Sequence, residues 1–112
     1  MKVFKFGGAS VKNSESIRNI LNIISSYNTN KLIVVVSAMD KTTNALEEVV
    51  KMYLENNQEY IHKVDEIFNF HEGICLDLFP KNHEVFSGLR KLITKIVSLL
   101  KNNKSPNHSF VY

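Results

Sequence analysis

The sequence has few of the residues that mark special architectures. It contains one cysteine, Cys75, no tryptophan, two prolines and four glycines in 112 residues. A single cysteine cannot form an internal disulfide and suits a reducing compartment, so we expect a cytoplasmic protein. No apolar run is long enough to cross a membrane, and the N-terminus is charged where a signal peptide would be apolar. We therefore expect no membrane partner.

An excess of one charge is also missing. Lysine and arginine number 14 against 11 acidic residues, a formal net charge of +3, and the lysines are dispersed along the chain. This balance predicts no nucleic-acid partner. With 44% hydrophobic and 22% charged residues, the composition is typical of a soluble globular protein with one core.

The first twelve residues carry the most informative pattern. Residues 2–6 are rich in strand formers and predict a short buried strand. Gly7 and Gly8 follow, and adjacent glycines allow positive φ and close approach of a ligand, because they have no Cβ. Ser10 then leads into a helix, whose N-terminus would face an anion. With Lys5 at the carboxyl end of the strand, this predicts a phosphate site beside a lysine.

An ordinary tight turn with a solvated lysine remains the alternative interpretation of this stretch. Neither G-x-x-x-x-G-K-[ST] nor G-x-G-x-x-G is present. The residues alone therefore leave the phosphate site and the plain turn equally open.

A βαβ unit is predicted by the spacing of apolar residues. Residues 13–16 offer helix-capping side chains and an early acid, and an apolar stripe at helical spacing runs from Ile17 to Ile24. A loop at 28–30 precedes a continuous β-branched run at 31–36. Such a run is typical of a strand covered on both faces of a parallel sheet, with a right-handed crossover before it.

A polar loop at 37–44 follows the second strand. Ligands bind outside the carboxyl ends of parallel strands, so we expect this loop and the glycine turn to share one edge of the sheet. Ser37, Thr42 and Thr43 would be its hydrogen-bond donors. Alternatively, Thr42 or Thr43 caps the next helix, which leaves a ligand role open for the other.

From Asn57 onward the pattern is helical. Apolar residues alternate by three and four from Tyr60 to Leu78, where Pro80 ends the helix, and again from 85 to 100. The two helices should pack as an antiparallel hairpin. His71 and Cys75 favour a packed core pair over metal ligands, so no metal site is predicted. Residues 105–108 predict a turn.

Two segments resemble motifs of the aspartate kinases, members of the amino acid kinase family. Residues 5–11, KFGGASV, resemble K-F-G-G-[TS]-S-V, and residues 36–44, VSAMDKTTN, resemble V-S-A-M-G-K-T-T-N. They fall after the first and second predicted strands, as the amino acid kinase fold would place them. The helical region after Asn57 looks like the segment that follows in that family, with a less diagnostic pattern.

The resemblance implies an α/β fold class, the amino-terminal part of the amino acid kinase fold, with two parallel strands and then a long helical hairpin. It implies that residues 1–112 are an amino-terminal fragment of the catalytic domain. Residues 1–56 would be a βαβα part of the acceptor site and residues 57–104 a helical region. The nucleotide-binding half and the regulatory domains would be absent, so we expect the fragment alone to be inactive. We also expect self-association through the uncovered strand, and a homo-oligomer.

The resemblance also implies a reaction, transfer of a phosphoryl group from ATP to the β-carboxylate of L-aspartate. This gives 4-phospho-L-aspartate, the first step towards lysine, threonine and methionine. ATP and Mg²⁺ would be the cofactors, bound mainly by the downstream part. The implied site residues are the transfer lysine Lys5, which with Gly7, Gly8 and Ser10 binds the ATP phosphates, and the aspartate-binding Ser37 and Thr43.

Two positions depart from the family pattern, and two other functions stay open. Ala9 stands where threonine is usual, and Asp40 stands where glycine is common. One alternative is another member of the same fold, such as an acetylglutamate, glutamate or nucleoside-monophosphate kinase. The second is a non-catalytic helical interaction module, since about half of the chain is helical hairpin.

Overall fold

Two parallel strands and four α-helices make up the part of the chain that the computed structural model describes, residues 1–27 and 29–102. The elements are β1 (Lys2–Phe6), a 3₁₀ turn (Gly8–Val11), α1 (Ser14–Ile24), a 3₁₀ turn (Thr29–Lys31), β2 (Leu32–Val36), α2 (Thr42–Leu54), α3 (Tyr60–Leu78) and α4 (Val85–Asn102). The predicted α/β class is confirmed. Residue 28 of the loop predicted at 28–30, and the turn predicted at 105–108, lie outside the described residues.

The first compact unit, Met1–Thr43, is the predicted βαβ arrangement. β1 pairs with β2 in parallel, in a register that runs from Lys2 opposite Leu32 to Phe6 opposite Val36. The pairing extends by one bond beyond the strands, where the Ser37 N–H donates to the Phe6 carbonyl at 2.9 Å. Both strands therefore end at the same edge.

One face of β1 carries aromatic packing. Phe4 contacts Tyr27 edge to face at 4.9 Å between ring centroids, and the Lys2 ammonium lies 5.1 Å from the Tyr27 ring. Because side chains alternate along a strand, Val3 and Lys5 lie on the opposite face. Val3 is exposed, so no described residue covers that face at this point.

The burial that the residue pattern predicts for each strand is wrong for the described residues, whereas the uncovered second strand expected of a fragment is confirmed. In β2 the side chains of residues 33–36 are 39 to 58% exposed. A continuous β-branched run predicts cover on both faces of a sheet, but two strands and one connecting helix supply little of that cover.

α1 begins at Ser14, several residues after the glycine turn, and not directly at Ser10. Asn13 is its N-cap, with a side-chain oxygen that accepts from the Ser16 N–H at 2.8 Å, as the predicted capping residues required. A 3₁₀ turn at Gly8–Val11 separates this N-terminus from β1. Along the predicted apolar stripe Ile20 is buried, whereas Leu21 is exposed.

The second compact unit begins at Asn44 and contains the main core. α2 therefore groups with the later helices. The boundary between the two units lies before α2, whereas the helical pattern in the sequence begins at Asn57. The Tyr53 hydroxyl donates to the Leu100 carbonyl at 2.9 Å, and the Tyr53 and Tyr60 rings meet edge to face at 5.5 Å. The buried cluster consists of Val49, Tyr53, Tyr60, Val64, Ile67 and Leu100.

α3 and α4 form the predicted antiparallel hairpin. The start of α3 meets the end of α4 in the buried cluster. Nearer the other end, the Arg90 guanidinium lies 3.7 Å from a Glu72 oxygen and 5.5 Å from the Phe68 ring. Phe79 is extended, so α3 stops just before Pro80, as predicted.

The C-terminus of α2 is closed by a left-handed residue. Asn56 has φ of 59°. The Asn57 N–H donates to the Met52 carbonyl at 2.8 Å, and the Asn56 N–H donates to the Tyr53 carbonyl at 3.1 Å. These two bonds are the Schellman pattern, in which glycine is preferred and asparagine is tolerated at the left-handed position.

His71 and Cys75 lie one turn apart in α3, and both are half-buried. His71 Nδ1 lies 2.7 Å from the Ile67 carbonyl oxygen. Burial is the main cause that raises the pKa of the Cys75 thiol above its usual value, and the nearby Glu72 carboxylate adds to it. A raised pKa opposes thiolate chemistry. Among residues 1–27 and 29–102, no helix is both long and apolar enough to span a membrane.

Candidate functional site

The two predicted site loops lie together at one edge of the sheet. The first loop, residues 7–13, follows β1, and the second loop, residues 37–41, follows β2. Because Phe6 and Val36 are paired in the parallel sheet, the loops start side by side. The predicted shared edge is confirmed, and all six predicted site residues belong to the first compact unit.

Gly8 is the point where the loops touch. The Asp40 N–H donates to the Gly8 carbonyl at 3.2 Å. A Cβ on Gly8 would lie 2.7 Å from the Asp40 carbonyl oxygen and 3.5 Å from that of Ala38. The first of these distances is shorter than any carbon–oxygen contact that packing allows, so only glycine fits here in this conformation.

Gly7 has a different environment. A Cβ built on it would meet nothing within 4 Å, and its φ of −77° and ψ of 178° are ordinary extended values. None of the glycines in the described residues has positive φ. The positive φ that adjacent glycines allow is not used at this turn, because the chain enters a 3₁₀ turn instead. Close approach is real at Gly8, although the approaching atom belongs to the second loop.

Asp40 is the residue that sequence reasoning left without a role. Its φ of 47° is left-handed, a conformation that L residues other than asparagine and aspartate seldom adopt. Glycine at the matching place in the aspartate kinase motif was the signal for it. At the other end of this loop, the Met39 carbonyl accepts hydrogen bonds from the Thr42 N–H, at 2.9 Å, and from the Thr42 hydroxyl.

Lys5 lies on the open face of β1, opposite Val35 in the register, and its side chain is exposed. It makes no ion pair with any residue in the ranges 1–27 and 29–102. Lys12 and Lys41 add two more cations to the loops, against the single acid Asp40. The edge is thus positively charged and can attract an anion.

The serine and threonine residues of the site differ in which hydrogen-bonding groups remain available to a ligand. The Ser10 N–H donates to the Gly7 carbonyl at 3.0 Å, so in this conformation its exposed hydroxyl is the group that can reach a phosphate. The Ser37 hydroxyl donates to the Ala38 carbonyl at 2.9 Å and keeps its lone pairs for a donor. Thr43 is exposed in the first turn of α2.

This arrangement has a counterpart among known proteins. The profile of the amino acid kinase family matches residues 1–85, most of the chain. The chain belongs to the amino acid kinase family. Membership accounts for the two loops at one edge of a parallel sheet, and the predicted resemblance is confirmed at this level.

Relatives of this amino acid kinase chain are named aspartokinases. It is 38% identical over 108 residues to the bifunctional aspartokinase/homoserine dehydrogenase of Buchnera aphidicola subsp. Acyrthosiphon pisum (strain APS), covering 91% of this chain and 13% of the relative. It is 33% identical over 76 residues to the chloroplastic bifunctional aspartokinase/homoserine dehydrogenase 2 of Arabidopsis thaliana, covering 68% and 8%. With chloroplastic aspartokinase 2 of Arabidopsis thaliana it shares 46% over 44 residues, covering 39% and 8%. The chain thus spans roughly a tenth of the length of these relatives.

Proposed function

We propose that this amino acid kinase chain supplies the transfer lysine and part of the acceptor site of an aspartate kinase. The observation that carries the proposal is the pair of loops at one sheet edge, with Gly7 on the first loop, Ser37 on the second and Lys5 near the end of β1. The names of the relatives favour aspartate over the acceptors of other amino acid kinases. A purely helical interaction module would leave this edge without a purpose.

The chemistry asks the protein for position and charge rather than for a covalent nucleophile. ATP, when bound, supplies the γ-phosphoryl group that the β-carboxylate of aspartate receives. The Lys5 ammonium stabilises the negative charge on that group. The open space at Gly7 lets a phosphate approach the backbone, and the Ser10 hydroxyl is a donor beside it. Ser37 and Thr43 orient the aspartate.

We propose that Mg²⁺ takes part in the same reaction. Within residues 1–27 and 29–102, no group of three His, Cys, Asp or Glu side chains is placed to hold a metal ion. We propose that the ion and the adenosine moiety are held outside these residues. For that reason we expect the 112-residue chain to have no turnover by itself, since effective concentration from positioning supplies about 7–11 kcal/mol in favourable cases.

Two further properties are proposed for the protein. The exposed β2 side chains, and sheet edges that no strand among residues 1–27 and 29–102 pairs with, favour self-association, so we propose a homo-oligomer. Light scattering that shows a monomer at high micromolar concentration would contradict it. A reducing compartment such as the cytoplasm is proposed because Cys75 is a free thiol.

Hydroxamate trapping of aspartyl phosphate tests the function. Residues 1–102 replace the matching segment of the Buchnera aphidicola relative, and the chimera is assayed with ATP, Mg²⁺ and aspartate. Lys5→Ala should lower kcat by about 100-fold, since a preorganised charge is worth about 3 kcal/mol in the transition state, with a much smaller change in the KM for aspartate.

Lys2→Ala is the matched control, because it removes a lysine from the same strand on the other face. It should change kcat by no more than about twofold, the range of ordinary surface substitutions. Near-normal turnover in the Lys5→Ala chimera would show that Lys5 is only a strand-end charge. Turnover by the 112-residue chain within tenfold of the chimera would contradict its proposed inactivity.

A further inference from the structure

Gly8 and Asp40 hold the two site loops in one relative position. We propose that they form an interlock, in which the absence of a side chain at Gly8 admits the Asp40 carbonyl and thereby sets where the second loop lies. Gly8 is then a positioning residue for the acceptor loop. What that loop binds rests on the proposed function, whereas the interlock does not.

The first step is that the contact cannot yield locally. The atom that a Cβ on Gly8 would meet at 2.7 Å is a backbone carbonyl oxygen, which no side-chain rotation can move. The hydrogen bond from the Asp40 N–H to the Gly8 carbonyl, 3.2 Å, holds the same two residues together. A side chain at position 8 must therefore displace backbone.

The second step is that hydrogen bonds on both sides of Asp40 restrict how the second loop can move. Before Asp40, the loop is tied to β1 by the Ser37 N–H on the Phe6 carbonyl at 2.9 Å. After Asp40, it is tied to the start of α2 by the Thr42 N–H on the Met39 carbonyl, also 2.9 Å. A shift at Asp40 is thus passed to residues 37 and 43, the proposed aspartate contacts.

The third step concerns the conformation of Asp40. Its left-handed backbone, φ 47°, fixes the direction of the carbonyl that meets Gly8. A glycine at position 40 would make this conformation inexpensive and would also let the peptide rotate. The interlock therefore predicts coupling: an alanine at position 8 should be tolerated better when residue 40 is glycine.

The test measures backbone amides of the ¹⁵N-labelled 112-residue chain by NMR. Gly8→Ala should shift the amide resonances of residues 37–43 and speed hydrogen exchange of the Asp40 amide at least tenfold. Gly7→Ala is the matched control: it adds the same methyl one residue earlier, where nothing lies within 4 Å and the backbone is extended. It should leave the amides of residues 37–43 in place.

The double variant Gly8→Ala/Asp40→Gly provides the rescue. Measured against Asp40→Gly alone, the effect of Gly8→Ala on residues 37–43 should fall by at least half, a change that simple loss of stability would not produce. Unchanged amides in Gly8→Ala, or equal shifts in Gly7→Ala, would overturn the interlock.

A wild-type measurement keeps the proposal testable if Gly8→Ala does not fold. The Asp40 amide should then exchange within tenfold of the Ser37 amide, since both are held by bonds between the loops or strands. Exchange of Asp40 at the rate of an unprotected amide would overturn the interlock. No arm uses ATP or aspartate, so failure of the aspartate kinase proposal would leave these results unchanged.

Discussion

The helical unit and the strand-bearing unit handle their apolar side chains in opposite ways. From Asn44 onward, three helices enclose a contiguous buried cluster that includes Val64, only 2% exposed. In Met1–Thr43 the buried apolar residues are Val11 and Ile20, while β2 exposes a row of β-branched side chains. The helical unit is organised around a core, and the strand-bearing unit around backbone pairing between two strands and two loops. The two units should therefore respond differently to the same substitution.

The largest difference is expected for loss of a buried isoleucine. Ile67 and Ile20 are each 8% exposed, but only Ile67 belongs to the buried cluster. Ile67→Ala should lower the free energy of unfolding by about 2–5 kcal/mol, because the enclosed site cannot collapse. Ile20→Ala should cost about 1–2 kcal/mol, since its site can relax towards solvent.

Native-state hydrogen exchange in urea separates the two effects. Amides of α3 report on Ile67→Ala, and amides of α1 report on Ile20→Ala. Equal losses from the two substitutions would show that the strand-bearing unit has a core as rigid as that of the helices.

Much of this contrast could be predicted from the sequence. The three-four spacing from Tyr60 to Leu78 predicted a stripe whose members are buried or half-buried, because a helix makes all its backbone bonds internally and needs only one covered face. The position of β2 along the chain was predicted equally well, but its degree of burial was not. The cover of a strand comes from other elements, and a β-branched run does not reveal whether they are present.

The site shows the same limit at finer scale. Parallel pairing alone placed the two loops at one edge, so Lys5 and Ser37 were correctly expected at the same end of the sheet. The contact between Gly8 and Asp40 depends on the path of two irregular loops, which no periodicity describes. Glycine in the related motif at position 40 hinted at a left-handed residue, but it did not say which atom lies beside it.

The effect of replacing a glycine with alanine on the free energy of unfolding should have opposite signs in the two units. Gly73 lies in the interior of α3, and a Cβ there would meet nothing within 4 Å. Gly73→Ala should raise the free energy of unfolding by about 0.8–1.0 kcal/mol, the difference in helix propensity. Gly8→Ala should lower it, because the new methyl collides with the second loop.

Urea unfolding followed by circular dichroism measures both variants, and Gly88→Ala in α4 is a second helical control with open space. A destabilising Gly73→Ala would mean that α3 has a neighbour on that face. A neutral Gly8→Ala would mean that the loops are not held together.

A smaller effect is expected at the two left-handed residues, one in each unit. Asn56→Gly and Asp40→Gly both relieve a positive φ, and each should stabilise by about 0.5 kcal/mol after the added flexibility of the unfolded chain is subtracted. Asn56→Gly should slow exchange of α2 amides, and Asp40→Gly should affect only the loop region. Thermal unfolding of each variant measures the gain. Asn57→Gly is the contrasting variant beside the left-handed position: it removes the oxygen that accepts from the Glu59 N–H at 3.0 Å and should destabilise. A loss of stability in Asn56→Gly would show that the asparagine side chain makes a contact worth more than the relief of φ.

The smallest effect is expected from the two ion pairs of Lys63, one of which joins α3 to α2 while the other lies within α3. The Lys63 ammonium lies 2.9 Å from a Glu48 oxygen and 3.3 Å from a Glu66 oxygen. Hydrogen bonds to these carboxylates, Glu48 first, raise the pKa of Lys63 above its usual 10.5. A raised folded-state pKa means that the contribution to stability is complete below pH 10.5 and is lost as the pH rises through the folded-state value.

Salt should reveal this contribution, because both carboxylates are exposed and therefore screened. Unfolding of the wild type and of Lys63→Gln is compared at low salt and at about 1 M NaCl, where the screening length falls to roughly 3 Å. The wild type should lose its small advantage at high salt. Lys91→Gln is the control, since Lys91 makes no ion pair with the described residues, and its stability relative to the wild type should not depend on salt. Equal salt dependence for the two variants would show that the ion pairs contribute nothing, and that the buried cluster alone holds α2 against α3.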